Sequence, residues 1–170
     1  MTAYVALLRA VNVGCTGTLP MRDLVSMCEA IGFASVRTYV ASGNVVFLSD
    51  ASEPSVKSQL EEALSAYGGK PVHVLVRTAR EIADVLANNP FPNTSPNKTA
   101  AIFLGSPPAP GLVDTLCGRK NEELGLGPRE IYVHYPDGMG RSKLKIPAAE
   151  AGTARNMNTV AKLARMAAEL

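Results

Sequence analysis

Three polar stretches of this 170-residue chain carry side chains able to hold an anion. Arg9, Asn12, Gly14 and Gly17 follow one apolar run, Ser42-Gly43-Asn44 lies between two others, and Gly138-Met139-Gly140-Arg141-Ser142-Lys143 follows a fourth. A guanidinium can grip a phosphate or carboxylate through two parallel hydrogen bonds. Glycine-containing loops turn backbone N–H groups toward negative charge. Arg155, just ahead of the last helical pattern, adds a further cation. The candidate ligand-binding set is therefore Arg9, Asn12, Ser42, Asn44, Arg141, Ser142, Lys143 and Arg155.

Each of these residues also has a purely structural reading. Arg9 could pair with an acid or with loop carbonyls, Ser42-Gly43-Asn44 suits a hairpin turn, and Ser142 could cap a helix after it. The spacing Gly14-x-x-Gly17 is not the dinucleotide fingerprint, and no phosphate-loop motif occurs. Cys15 sits in the Arg9 loop, but no histidine is near it in sequence, so a small loop residue is the simpler account. His73 and His134 both fall within strand patterns and read as packing residues. The acids, Glu61-Glu62 and Glu122-Glu123 among them, read as helix-face residues. No catalytic triad, acid/base pair or metal cluster assembles, so no catalytic residue is named and no cofactor or metal is expected.

The positioning elements follow from periodicity. Ala3–Leu8 is a short apolar run, as in a strand buried on both faces. Leu24, Met27, Cys28 and Ile31 share a helical face that Gly32 closes. Val36–Val40 and Val45–Leu48 form a hairpin. Ser52-Glu53-Pro54 opens a helix with Val56, Leu60, Ala63, Leu64 and Tyr67 inward, and Val72–Val76 is a fourth strand. This βαββαβ order is that of the ferredoxin-like unit. Thr78-x-x-Glu81 is a capping box for a helix with Ile82, Val85 and Leu86 inward. After the Pro-rich stretch come strand 99–104, a short helix 112–117, strand 131–135 and a last helix capped by Asn156. The expected class is α+β: a ferredoxin-like half over 1–88, a connector over 89–98 and a smaller α/β half over 99–170, within one compact domain.

Composition bounds the function. Hydrophobic residues make up 46% and charged residues 19%, and aromatics only 5% with no Trp. That is globular, and poor in the stacking platforms of single-strand binders. Net charge is +2, but residues 1–118 hold 8 bases against 9 acids and 119–170 hold 9 against 6. A local positive field toward the C-terminal end attracts phosphate or carboxylate, or it is a solvated helix face. Three cysteines without metal spacing, no signal-peptide pattern and no apolar run of spanning length point to a cytoplasmic protein away from membranes.

The stretches LLRAVNVG, RTYVASGNVVF, NPF, YPDGMGRSKL and TARNMNTV occur in this order along nearly the whole chain. Together they are similar to the DUF1697 family of uncharacterised bacterial proteins. The resemblance implies a compact α+β fold with a ferredoxin-like N-terminal part and no established activity. The chain departs from the usual pattern at Cys15, where members commonly have Gly, and at Met157, where they commonly have Trp. The stretch KIPAAEAG also replaces what is a longer helix in many members. The resulting expectation is a binding protein for a small phosphate- or carboxylate-bearing ligand, or an enzyme acting on such a metabolite. The alternatives are a nucleic-acid module using the basic C-terminal segment, which is not favoured, and an interaction protein with no ligand.

Overall fold

A computed structural model describes residues 1–11 and 18–170. The chain is α+β. It divides into two compact units, Met1–Ile82 with Leu163–Leu170, and Ala83–Lys162. The segment 89–98, expected as a connector, lies inside the second unit, and the end of the last helix sorts with the first. There Glu169 meets Arg37 at 3.5 Å.

In the first unit, β1 (Thr2–Leu8), α1 (Met21–Ile31), β2 (Ala34–Thr38), β3 (Asn44–Ser49), α2 (Glu53–Gly68) and β4 (Val74–Thr78) appear in the expected βαββαβ order. The strands form one antiparallel sheet in the order β2-β3-β1-β4. Tyr4, Ala6, Leu8, Val45, Phe47, Val74 and Val76 from the sheet close on Leu24 and Cys28 of α1 and on Val56, Leu60 and Leu64 of α2. Alternation along each strand places these residues on one face. Each fully buried Leu or Val there contributes roughly 1.5–3 kcal/mol.

The helix ends are chemically specified. Gly32 and Gly69 close α1 and α2 in the left-handed region, at φ 107° and 70°. Glycine alone reaches that region without cost. The Thr78/Glu81 capping box forms at the start of α3 (Ala79–Ala87): Thr78 N–H donates to Glu81 Oε1 at 3.0 Å, and Glu81 N–H donates to Thr78 Oγ1 at 3.1 Å.

Several expectations are corrected. β4 begins at Val74, not Val72, so His73 precedes the strand; Lys57 Nζ donates to Val74 O, and Glu61 accepts from Val74 N–H, which fixes that start. β2 ends at Thr38, and Val40 turns out of the strand with φ at 50°. Tyr67 is exposed because its hydroxyl donates to Asp23 of α1 at 2.7 Å at the surface. Leu86 is also exposed; Ile82 and Val85 make up the inward face of α3.

The second unit holds β5 (Thr99–Phe103), β6 (Glu123–Leu126), β7 (Glu130–His134) and β8 (Thr153–Asn156), in one antiparallel sheet ordered β6-β7-β5-β8. Counting strands within each unit, this is the same order as in the first sheet. The crossovers differ: short 3-10 turns at Leu112–Thr115, Met139–Arg141 and Pro147–Ala149 stand where the first unit has α1 and α2. The helix expected over 112–117 is therefore a 3-10 turn, and none follows Ser142. α4 (Met157–Ala168) begins under Asn156, whose Oδ1 accepts from Thr159 N–H at 2.9 Å. Among the described residues, no helix is long and apolar enough to cross a membrane.

Candidate functional site

Off the end of the β6–β7 hairpin, where Glu123 pairs with His134, two loops leave side by side. The first, 117–122, leads into β6, and the second, 135–145, leads away from β7. They are tied by a two-bond bridge: Cys117 N–H donates to Lys145 O at 3.0 Å, and Lys145 N–H donates to Cys117 O at 2.7 Å. This extended pairing is why no helix follows Ser142. Asn121 Nδ2 adds a side-chain tie to Asp137 Oδ2 at 3.1 Å. Gly118 lies at the crossing with φ 71°, and a Cβ there would collide with the carbonyl of Lys143. Only glycine satisfies both constraints.

Between the loops is a hollow of about 510 Å³, within the usual range for small-molecule sites. Lys120, Arg141, Ser142 and Lys143 line it, and so do Glu122, Tyr135 and Asp137. Lys120, Arg141 and Lys143 are exposed at its rim, and among the described residues none of the three is in an ion pair. Ser142 Oγ accepts from Leu144 N–H at 3.2 Å, which leaves its own proton to donate. Glu122 is buried and precedes β6 instead of lying on a helix; its carboxylate accepts from Lys120 N–H at 3.0 Å. Burial, and then the charge of Glu122, raise the Tyr135 phenol above its ordinary value, so it stays protonated at neutral pH.

Arg141, Ser142 and Lys143 are thus brought together. Arg155 does not line this hollow. It is 8% exposed on β8, and its Nη1 donates to Thr153 Oγ1 at 2.6 Å and to Ala154 O at 2.9 Å. Burial pushes its guanidinium down to about 10, still a cation at neutral pH. Arg9, Ser42 and Asn44 belong to the first unit. Arg9 follows β1, half-buried, with its N–H on His73 O at 2.9 Å. Asn44 is fully buried and donates to Tyr39 O and Ser42 Oγ, at 2.9 and 3.0 Å, which closes the β2–β3 hairpin. Asn12, Gly14, Cys15 and Gly17 lie outside the described residues.

Lys120, Glu122, Tyr135 and Asp137 are site residues that the sequence pattern leaves unmarked. The Pro136-Asp137-Gly138 turn is the nearest signal for the last two. For Glu122 there was none, because a buried loop acid and a helix-face acid look alike in an Arg-Lys-Asn-Glu-Glu run.

Fold and hollow together define an α+β protein of two like-ordered antiparallel sheets, with a polar, basic-rimmed hollow in the second unit. The chain belongs to the DUF1697 family, described as a protein of unknown function, whose model matches residues 1–132. The match ends within β7, so the second wall of the hollow follows the matched segment. Among solved structures, the conserved bacterial protein SP0830 from Streptococcus pneumoniae shares the fold: it is 24% identical, with 98% of each chain covered and a TM-score of 0.79. No curated protein matches the chain.

Proposed function

We propose that the second unit binds a small phosphate- or carboxylate-bearing metabolite in this hollow. Arg141, Lys143 and Lys120 supply the charge, and the Ser142 hydroxyl donates a hydrogen bond. The supporting observation is that three cations ring one concavity and none is in an ion pair among the described residues. At 4 Å and an effective dielectric of 20, one such cation–anion contact is worth about 4 kcal/mol before desolvation. A reducing, cytoplasmic setting suits the free thiols of Cys28 and Cys117. An enzyme acting on the bound metabolite is the extension of this reading, with no catalytic group assigned.

The nucleic-acid alternative draws on the bases between 141 and 165. Arg155, one of them, is buried and bonded within β8, which weakens that reading.

A thermal-shift and calorimetric screen of inorganic phosphate, phosphate monoesters and small carboxylates tests the proposal. A ligand at one hundred times its Kd adds about 2.7 kcal/mol. That corresponds to roughly 5–11 °C in Tm for a chain of this size. The double substitution Arg141→Ala with Lys143→Ala is expected to remove that shift. It should leave the ligand-free Tm within about 2 °C, as is usual for exposed positions. No shift with any anion, or a ligand-free Tm that collapses in the double variant, would sink the reading.

A further inference from the structure

The hollow, taken as the anion site proposed above, also carries a second chemistry. Glu122 is only 4% exposed and lines it together with Tyr135 and Asp137. Its carboxylate is in no ion pair among the described residues. Lys120 N–H is shared between its two oxygens, at 3.0 and 3.4 Å. The neighbouring Arg119 does not neutralise it, because Arg119 Nε donates to the backbone oxygen of Glu122, at 3.0 Å. A carboxylate offers about four acceptor positions, so one N–H leaves most of them unfilled. Asp137, 15 residues further on in the sequence, presents a second carboxylate, with Oδ2 accepting from Asn121.

A plain anion entering this space meets three cations and also a buried carboxylate that is in no ion pair among the described residues. The repulsion is relieved when the ligand brings its own positive charge to Glu122. A charge-assisted hydrogen bond is roughly twice as strong as a neutral one. We propose that the ligand is a small zwitterion. Its phosphate or carboxylate is held by Arg141, Lys143 and Ser142, and its ammonium by Glu122, with Asp137 and Tyr135 completing that side.

Matched compounds test this on the full chain by calorimetry: 2-aminoethyl phosphate, 2-hydroxyethyl phosphate and ethyl phosphate, and 4-aminobutyrate against butyrate. In at least one series the aminated member is expected to bind at least tenfold tighter than its des-amino partner and, among the phosphates, than the hydroxyl compound. Glu122→Gln is expected to erase that preference while the des-amino compound binds as well or better. Equal binding of the aminated and des-amino members in the wild type overturns the zwitterion, whether or not Glu122→Gln folds. So does a preference that survives in a folded Glu122→Gln. If the des-amino compounds bind and Arg141→Ala weakens them, the anion site stands without the ammonium site. If none of the compounds and no inorganic phosphate binds, both fall.

Discussion

The carbonyl oxygen of Lys143 occupies the space that a side chain on Gly118 would need. The two loops around the hollow therefore touch backbone to backbone, and their spacing is set by the absence of one carbon atom. Gly118→Ala is expected to lose about 1–2 kcal/mol from the left-handed backbone alone, and more from the collision. Gly69, at φ 70° in the left-handed region with nothing within 4 Å of an added Cβ, supplies the control. Gly69→Ala should show only the backbone cost. Urea denaturation of both variants checks this, and equal losses would mean the loops yield freely. Anion affinity should fall in Gly118→Ala and stay unchanged in Gly69→Ala.

Arg155 and Arg141 should separate cleanly. Removing the Arg155 side chain leaves the Thr153 hydroxyl short of a buried partner, at a cost of about 1–3 kcal/mol. Arg141→Ala should change stability by no more than about 0.5 kcal/mol. The measurement is the urea midpoint of each variant, followed by phosphate titration of the folded protein. Arg155→Ala should bind as the wild type does; a stable Arg155→Ala that has lost binding would return Arg155 to the site.

Those two arginines also show how far the sequence could be read. Arg141 stood out in a Gly-rich turn with a base, a hydroxyl and a second base, which suits either an anion or a solvated loop, and it lines the hollow. Arg155 looked similar in sequence, but β8 hid its role. The two buried positions of that strand are Thr153 and Arg155, which bond to each other, so no apolar alternation marked it. The first unit was legible because its core positions are apolar at strand and helix spacing and its caps are chemically distinct. The second was less so: its crossovers are 3-10 turns held by local bonds, with no periodicity to read. Tyr67 was misplaced for a related reason, since a single surface bond to Asp23 overrode its place in the helical pattern.

Alkaline pH should destabilise the protein, beginning with Cys28. Burial, and then the charge of Glu29, push its thiol from 9.0 up to about 12. The folded state thus holds this proton where the unfolded chain releases it. The stabilisation is complete below pH 9 and is lost as pH climbs toward 12, at up to about 1.4 kcal/mol per pH unit. Tyr132, pushed to about 12 by burial and then by Glu130 and Asp84, adds a loss of the same sign above pH 10. Tyr135, also raised by burial and then Glu122, acts in the same sense and the lowered Arg155 in the opposite one, so between pH 9 and 10 the thiol is the largest contributor. Urea midpoints across that range should slope downward in the wild type and flatten in Cys28→Ala. A slope unchanged by the substitution would refute the assignment.

A chain of hydroxyls fixes the tautomer of His134. Thr94 Oγ1–H donates to Phe91 O at 2.8 Å, so its oxygen is left to accept from Thr99 at 2.7 Å. With its one proton committed, Thr99 Oγ1 accepts from His134 Nδ1–H at 3.1 Å. Long-range proton–nitrogen spectra at pH 8 should show Nδ1 protonated and Nε2 bare. Thr99→Val should release the ring toward the other tautomer. A wild-type ring protonated on Nε2 would break the chain of donors.

The two sheets share a strand order, yet only the first has long helices for its crossovers. In the second, the backbone ladder from β6 to β8 is complete without help from the segments that surround the hollow. Such a scaffold lets those segments lengthen, shorten or change composition while strand register persists. Substitutions confined to those segments should therefore reshape the hollow while leaving the sheet intact.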